Sequence, residues 1–366
     1  MPTLRKIVVQ DFRNIAFQEL DFSPNVNCIS GNNGEGKTNL LDAIYYLSMT
    51  KSAFPSPDKY QFRYGTQGFA LGGTYAMENG LESRFSIQVE EGCKRLVRDG
   101  KPCSRMGEHI GLLPVVMVSP GDGALVSESG EERRRLANAV LSQMDREYLA
   151  AVQAYMRLLA QRNRLLKEDQ VDGGLLDVLD ARMEVHAGKI YEARRKLAED
   201  LRPIVTEYYR LISGGGEEVG LEYVSELGSG ASLTELFAAG RERDLRLRFT
   251  GSGVQRDDFL FTMNGHPIRR AGSQGQQKSF LVALKFAQYD VMKRSYGFPP
   301  MLLLDDVFDK LDLGRISNLI SMVAGADFGQ IFITDTDRQR LSGIVDRLTE
   351  DRAYFVASGG SFTRAE

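Results

Sequence analysis

The stretch G-N-N-G-E-G-K-T, Gly31 to Thr38, decides the fold together with a distant second one, M-L-L-L-D-D, Met301 to Asp306. The first follows a β-like run, Asn25 to Ser30, and opens a helical run through Leu40, Leu41, Ile44 and Leu47. Strand, loop and helix in that order form the context of a phosphate loop. Gly31, Gly34 and Gly36 let the backbone curl so that successive N–H groups point at phosphate oxygens, and the helix N-terminus adds its partial positive charge. Lys37 then reaches the β and γ phosphates, and Thr38 offers its hydroxyl to Mg²⁺. The second stretch is a continuous apolar run ending in paired carboxylates, the pattern of a buried parallel strand whose carboxyl end opens on a ligand crevice. Asp305 is expected to hold the metal, directly or through water, and Asp306 to orient or polarise an attacking water. A Gly-rich turn or a capped strand end would explain either stretch alone; the pair selects a nucleotide site.

Composition limits what surrounds that site. With 366 residues and 42% hydrophobic content the chain exceeds one typical domain, and two lobes are expected. Cys28, Cys93 and Cys103 are few, odd in number and without metal-ligand spacing, which favours core or surface thiols in a reducing compartment over a disulfide framework. M-P-T-L-R-K leads straight into an amphipathic strand, and no run of about 18 apolar residues occurs, so a cytoplasmic protein without a membrane partner is expected. A net charge of −3 excludes a uniformly basic coat yet permits a basic stripe.

Along the chain, residues 3 to 30 read as strands, 38 to 48 as a helix and 69 to 103 as a β-meander with a hairpin turn at Asp99-Gly100. After the strand Pro114 to Ser119 the apolar period changes from two to about 3.6, which sets a boundary near residue 121. Leu149, Val152, Met156, Leu159 and Leu166 form one helical stripe, and Leu176, Leu179, Met183, Ile190 and Leu197 another, facing each other across a turn at Val171 to Gly174. His186 belongs with the second stripe as a core or rim histidine, because no second metal ligand sits at helical spacing. Asn264-Gly265 reads as a tight hairpin, and G-S-Q-G-Q-Q-K-S, Gly272 to Ser279, opens another helix, with Ser273 as its N-cap on the simplest view.

Several motifs in one order resemble the RecF family, bacterial recombination and gap-repair ATPases of the ABC type that stand alongside SMC proteins. They are D-F-R-N at Asp11 to Asn14, the phosphate loop through Asn39, S-P-G-D at Ser119 to Asp122, E-E-R-R-R at Glu131 to Arg135 and Q-R-N-R-L-L-K at Gln161 to Lys167. R-D-D at Arg256 to Asp258, S-Q-G-Q-Q-K at Ser273 to Lys278 and L-L-L-D-D-V-F-D-K-L-D at Leu302 to Asp312 complete the set. The resemblance implies an α/β ABC-type ATPase (P-loop NTPase) lobe from 1–120 and 298–366, with an inserted mainly helical domain, 121–297, that carries the ABC signature. It implies ATP and Mg²⁺ as cofactors. Gly31, Asn32, Asn33, Gly34, Glu35, Gly36, Lys37, Thr38 and Asn39 would cradle the phosphates, with Arg13 as a positive clamp near the α and β phosphates. Ser273, with Gly275 and Gln276, would meet the γ phosphate held by the opposite subunit of a head-to-tail, ATP-dependent homodimer. Asp312 corresponds to a loop crossing the dimer seam, and Thr334-Asp335-Thr336 stands where related transporters place a switch histidine. This chain departs from the family pattern at Val254-Gln255, at Asp309-Lys310 and at Leu136-Ala137-Asn138, the last of which lacks a carboxylate that could pair with the arginine run.

The function so implied is ATP-gated binding of double-stranded DNA at single-strand gaps in repair and replication restart, with RecR as partner and RecO acting alongside. Slow, DNA-stimulated hydrolysis would act as a timer, since Asp306 reaches less far than the Glu usual in fast transporters. Arg133, Arg134, Arg135, Arg157, Arg162, Arg164, Lys167, Arg194, Arg195 and Lys196 are candidate phosphate ligands, each with a solvated helix face as its simpler explanation. No aromatic residues interleave with them, which favours duplex over single strand. A transporter ATPase would want the switch histidine, and an SMC-type chromosome-organising protein would need coiled-coil arms that the interval from Thr38 to Ser273 cannot hold.

Overall fold

A computed structural model describes residues 1–128, 130–307, 328–347 and 349–365. Asp309, Lys310 and Asp312 lie outside the described residues. Two compact units divide the chain: residues 1–122, 211–213 and 285–366 form the first, and residues 123–210 and 214–284 the second. Strands β1 (Thr3–Phe12), β2 (Ile15–Asp21), β3 (Val26–Ser30), β4 (Gly68–Ala76), β5 (Glu82–Glu90), β6 (Cys93–Arg98), β7 (Lys101–Pro102) and β8 (Val115–Val118) come first. Then follow β9 (Val219–Val224), β10 (Asp258–Met263), β11 (His266–Pro267), β12 (Met301–Leu304), β13 (Ile331–Asp335), β14 (Arg352–Ser358) and β15 (Ser361–Ala365).

The first unit holds two six-stranded sheets. One is antiparallel, in the order β2-β1-β4-β5-β6-β7, and its alternating burial gives it a core face and a wet face. Asp99 and Gly100, at φ +50° and +76°, make the two-residue turn from β6 to β7. The other sheet runs β15-β14-β3-β13-β12-β8, parallel except for β15. Every residue of β3, β8, β12 and β13 is buried, as near-continuous apolar runs in a doubly covered parallel sheet require. The buried Gln330 side chain accepts from Leu4 N–H (2.7 Å) and donates to Leu4 O (2.7 Å) and Ser23 O (2.8 Å), joining β1 to the start of β13. α1 (Lys37–Met49) lays Leu40, Leu41, Ile44 and Leu47, all fully buried, into this core. Burial pushes the Cys28 thiol up to about 12, so it is an inert core group; Cys93 and Cys103 are half-exposed thiols, and all three cysteines are free.

The second unit contains α2 (Ala124–Ser127), α3 (Gly130–Met144), α4 (Arg146–Leu165), the long α5 (Gly173–Ser213) up to Arg210, α6 (Leu233–Leu247), α7 (Ile268–Ala271) and the start of α8 (Gln274–Tyr296). A small antiparallel sheet, β11-β10-β9, accompanies them, its β10–β11 turn made by Asn264 and Gly265. From Lys285 onward α8 groups with the first unit, where Tyr289 stacks on Phe328 and accepts from Gly329 N–H at 3.1 Å. Aromatic packing thus claims a segment that its helical period alone assigns to the helical domain.

The expected stripe on α5 is buried throughout, whereas that on α4 holds only in part: Leu159 and Leu166 are buried, Leu149 and Val152 are half-buried and Met156 faces water. Met156 is 52% exposed, and the buried positions of α4 are Tyr148, Ala151, Tyr155, Leu158, Leu159, Arg162 and Leu165. Apolarity alone misreads this seam because two tyrosines and an arginine belong to it. Arg162 is fully buried: Nε donates to Asp180 at 2.6 Å, Nη1 to Asp244 at 2.8 Å and to Thr250 Oγ1 at 2.9 Å, and the guanidinium lies 4.0 Å from the Phe237 ring centroid. Arg194 is also buried, bonded to Val254 O, Asp257, Asn138 and Tyr148. Arg133 grips Asp258 through two nitrogens at 2.7 and 2.9 Å. These three are therefore not DNA ligands; each neutralises its own aspartates inside the unit, Asp258 for Arg133, Asp180 and Asp244 for Arg162, and Asp257 for Arg194. Asp257 and Asp258 supply the charge that Leu136-Ala137-Asn138 lacks, and Asn138 instead accepts from Tyr148 and Arg194.

Removing Arg162 should strand Asp244 without its strongest partner. Arg162→Met is expected to cost about 3–5 kcal/mol of stability, while the exposed Arg164→Met changes it by less than about 0.5 kcal/mol. Urea unfolding followed by circular dichroism checks the contrast, and equal midpoints for the two variants would contradict it.

Candidate nucleotide-binding site

Parallel pairing brings the two decisive stretches together. β13 lies between β3 and β12, with Ile333 opposite both Cys28 and Leu304. The chain therefore leaves β3 at Ser30 and β12 at Leu304 along one edge, on either side of Thr334. Gly31 to Gly36 then curl into α1. A Cβ at Gly31 would lie 2.6 Å from Ala357 O, and Gly36, at φ +101°, would press a Cβ to 2.8 Å from Asn14 Oδ1. Asn32, Asn33 and Gly34 are exposed at the loop's crest, while Glu35 accepts from Gly359 N–H with its carboxylate and from Gly360 N–H with its carbonyl.

Lys37 is 4% exposed, and its ammonium donates to Gly31 O (2.7 Å) and Asn32 O (3.1 Å). Among the described residues no carboxylate forms an ion pair with it, so a buried positive charge stands inside a loop of backbone N–H groups, an environment suited to an anion. Thr38 Oγ1 donates to the Asp305 carboxylate, 3.0 and 2.8 Å from its two oxygens. Thr334 Oγ1 donates to Asp305 Oδ1 at 2.7 Å and accepts from Asp306 N–H at 3.0 Å. Burial pushes the Asp305 carboxyl above the usual carboxylate range, and the neighbouring Asp306 charge adds to this, against the hydrogen bonds from Thr334 and Thr38 and the charge of Lys37. A desolvated carboxylate beside a threonine hydroxyl is a hard oxygen donor set, which fits Mg²⁺. Asp306 is half-buried with φ +45°, a left-handed turn that carries the chain off the strand end.

The D-F-R-N turn braces the loop from the side. Asn14 Oδ1 accepts from Asn39 at 2.7 Å. Arg13 donates to Asn39 Oδ1 (3.1 Å), Asp42 (2.7 Å), Ser52 Oγ (3.2 Å) and Gln61 Oε1 (2.6 Å). Asp42 is fully buried, and its carboxyl is pushed up by that burial against the pull of Arg13. Arg13 therefore holds the first helical turn as well as standing next to the loop. Sequence reasoning placed Thr334 only where transporters carry a switch histidine and Asn14 only within the D-F-R-N motif; the contact of Thr334 with Asp305 follows from its strand ending beside the phosphate-loop strand in a parallel sheet.

Ser273, Gly275 and Gln276 belong to the second unit. There Ser273 N–H donates to Gln276 Oε1 at 2.7 Å and Gln276 N–H to Ser273 Oγ at 3.3 Å, a reciprocal cap at the start of α8. Gln276 also donates to Glu217 at 2.6 Å, and Gly275 O accepts from Ser279 Oγ at 3.0 Å. Of the basic candidates, Arg134 and Arg135 are half-buried and bonded to Asp257 O and to Glu131 and Glu132. Arg195 pairs with Glu192 and Glu199, while Arg157, Arg164, Lys167 and Lys196 are exposed. His186, half-buried on α5, has its imidazole pushed below the ordinary range first by burial and then by Lys189, Arg182 and Arg157. Arg182 and Lys189 thus share a positive field with Arg157, a grouping that only the helical packing reveals.

The fold and this site define a P-loop ATPase with an inserted helical region. A family model described as the AAA domain matches residues 6–103. The DNA replication and repair protein RecF of Parabacteroides distasonis is 43% identical over 357 residues, 98% of each chain, and that of Porphyromonas gingivalis is 40% identical over 358, again 98% of each. A solved structure of the recombination mediator protein RecF with ATP, in the RecFOR pathway, superposes with a TM-score of 0.90 at 27% identity, covering 100% of this chain and 98% of that one. A Pyrococcus furiosus Smc head domain bound to the C-terminal domain of ScpA shares the fold alone, with a TM-score of 0.58 at 15% identity, covering 100% of this chain and 96% of that one. The chain belongs to the RecF family.

Thr334→Val keeps the volume and removes the hydroxyl that joins Asp305 to Asp306. ATP hydrolysis should fall by at least about ten-fold, with a stability loss of about 1–3 kcal/mol. Steady-state phosphate release and thermal unfolding check this; wild-type turnover would show that Thr334 does not position the carboxylates.

Proposed function

We propose that the chain is an ATP-dependent DNA-binding protein of recombinational gap repair and replication restart, and that nucleotide joins two copies head to tail. The observation that carries this reading is the Thr38–Asp305–Thr334–Asp306 cluster beside the buried Lys37, on a chain related end to end to DNA replication and repair proteins. Lys37 and the N–H groups of Gly31 to Thr38 bind the ATP phosphates, with Asn39 and Arg13 bracing the loop. Thr38 and Asp305 hold Mg²⁺, which when bound would offset phosphate charge. Asp306, one residue beyond, holds and orients the attacking water; its short side chain accounts for slow hydrolysis. No helix among the described residues is long and apolar enough to cross a membrane.

Ser273, Gly275 and Gln276 complete the site of the opposing copy. This proposal adds to the capping role: the Ser273 hydroxyl is exposed at a helix N-terminus, where backbone N–H groups and the helix dipole favour a phosphate. Residues 1–120 with 298–366, and 121–297, are the corresponding functional lobes. Double-stranded DNA, at a gap, is bound by the positive helical face around Arg157, Arg182, Lys189 and Lys196, and stimulates hydrolysis; RecR, with RecO alongside, follows. The protein acts in the cytoplasm.

Lys37→Ala should abolish measurable ATP binding, read by nucleotide titration; wild-type affinity would overturn the site. Ser273→Arg should bind ATP near normally and fail to hydrolyse it. Mixing the two variants leaves one composite site intact, so partial recovery of hydrolysis is expected, and a tethered dimer carrying both lesions at one site should retain activity. An inactive mixture together with an inactive tethered dimer contradicts action across the interface. For DNA, Arg157→Ala with Arg182→Ala should flatten the slope of log affinity against log salt by about 2. An unchanged slope would move the DNA path elsewhere.

A further inference from the structure

The turn joining β14 to β15 lies against the phosphate loop, although 324 residues separate Gly359 from Glu35. Ser358 and Ser361 pair across it, and Gly359 and Gly360 take φ +57° and +83°, the two left-handed residues of a tight hairpin. Gly359 N–H donates to the Glu35 carboxylate, and Gly360 N–H to Glu35 O at 3.0 Å. Ala357, just before the turn, sets its carbonyl against Gly31, where a Cβ would meet it at 2.6 Å. The hairpin therefore touches the loop near both of its ends. Asn14 fills the space beside them: its Oδ1 would lie 2.8 Å from a Cβ on Gly36, and its backbone O would overlap a Cβ on Gly360. β15 is tied separately to β2, since Phe362 N–H donates to Gln18 Oε1 at 2.9 Å and Gln18 Nε2 to Phe362 O at 3.1 Å. All of these residues belong to the first unit.

A trans peptide points its C=O and N–H in opposite directions. With Glu35 O taken by the hairpin, the Gly36 N–H is turned away from it, and among the described residues no protein acceptor meets that N–H. A donor so placed is the kind that binds phosphate. Glu35 is also the one carboxylate within Gly31 to Thr38, and loose among bound phosphates it would repel them. Its bond to Gly359 N–H keeps that charge on the hairpin side of the loop.

On the reading of Gly31 to Thr38 as the ATP site, on which this rests, we propose that Glu35, Gly359 and Gly360 are positioning residues for ATP. The hairpin turn holds the end of the phosphate loop in its phosphate-binding shape before nucleotide arrives. A loop shaped in advance loses less conformational entropy on binding, so the turn acts on affinity, whereas Asp306 acts on the chemical step. Gly360 is the sensitive position, because even a methyl group there would press on Asn14 O and displace the turn from Glu35.

Titration of the full chain with a fluorescent ATP analogue, together with steady-state phosphate release, tests this. Gly360→Ala should raise the dissociation constant and KM for ATP at least about ten-fold, with kcat at saturating ATP within about three-fold of wild type. Gly80→Ala is the control: Gly80 lies in the β4–β5 turn at φ +77° with nothing within 4 Å of a Cβ, so alanine there carries a similar backbone strain without touching the phosphate loop. It should lower the melting temperature comparably and leave ATP affinity at the wild-type level. Glu35→Ala should weaken ATP in the same sense as Gly360→Ala, and Glu35→Gln, which keeps an acceptor for Gly359 N–H, should recover most of the loss. Hydrogen exchange of the wild-type chain gives a reading that needs no folded variant at Gly360. Saturating ATP should slow exchange in residues 358–361 as well as in 31–38, and neither segment should respond in Lys37→Ala. Wild-type affinity in Gly360→Ala, an equal loss in Gly80→Ala, or exchange at 358–361 that ignores ATP while that at 31–38 slows, overturns the positioning role and leaves the ATP site standing. Failure of the wild-type chain to bind the analogue, with exchange unchanged in both segments, would instead remove the ATP site and the positioning role together.

Discussion

The rest of the first unit depends on the parallel register of β3, β13 and β12. Because Ile333 is paired with both Cys28 and Leu304, β3 ends at Ser30 opposite Asp335 and β12 ends at Leu304 opposite Ile333, and Thr334 stands between the phosphate loop and the carboxylate pair. One hydroxyl then meets Asp305 and the Asp306 backbone together. Apolar burial along those strands supplies the free energy that holds a desolvated carboxylate and a buried ammonium at the same edge. Slippage by one residue in β13 would turn Thr334 to the opposite face and separate the two motifs.

The helical unit is organised by a different interaction. Arg133, Arg162 and Arg194 each neutralise aspartates from distant parts of the chain, so the R-D-D segment, the start of α5 and the end of α6 are held by charge pairs as well as by apolar packing. Buried pairs of this kind fix partners more than they add stability, since desolvation offsets much of their attraction. Arg133, Arg162 and Arg194 are thereby withdrawn from the basic residues left on the surface.

The nucleotide site was legible because its chemistry imposes residue types at fixed spacing: glycines where backbone N–H groups must converge, then Lys37 and Thr38, and carboxylates at a strand end. The strands of the meander and the hairpins at Asp99-Gly100 and Asn264-Gly265 were legible for a similar local reason, a left-handed pair of turn residues. Legibility failed where long-range packing reassigns a side chain. Tyr148, Tyr155 and Arg162 count as polar in a one-dimensional pattern, yet they lie in the inner seam of α4 with Leu158, Leu159 and Leu165, while Met156 is left outside. The same blindness offered buried Arg133, Arg162 and Arg194 as DNA ligands, because a basic residue in a charged helix shows no trace of the aspartate that meets it from about 20 to 125 positions away. Thr334 was singled out only as standing at a switch-histidine position, because its contact with Asp305 depends on strand order, which a sequence does not display.

The central claim is that nucleotide held by Lys37, Thr38 and Asp305 joins two copies of the chain. Sedimentation velocity of the wild-type protein with and without ATP and Mg²⁺ tests it most directly. A monomer that shifts to a dimer only when both are present, and returns to monomer as ATP is consumed, is the predicted result. A sedimentation coefficient unchanged by saturating ATP and Mg²⁺ would contradict the account.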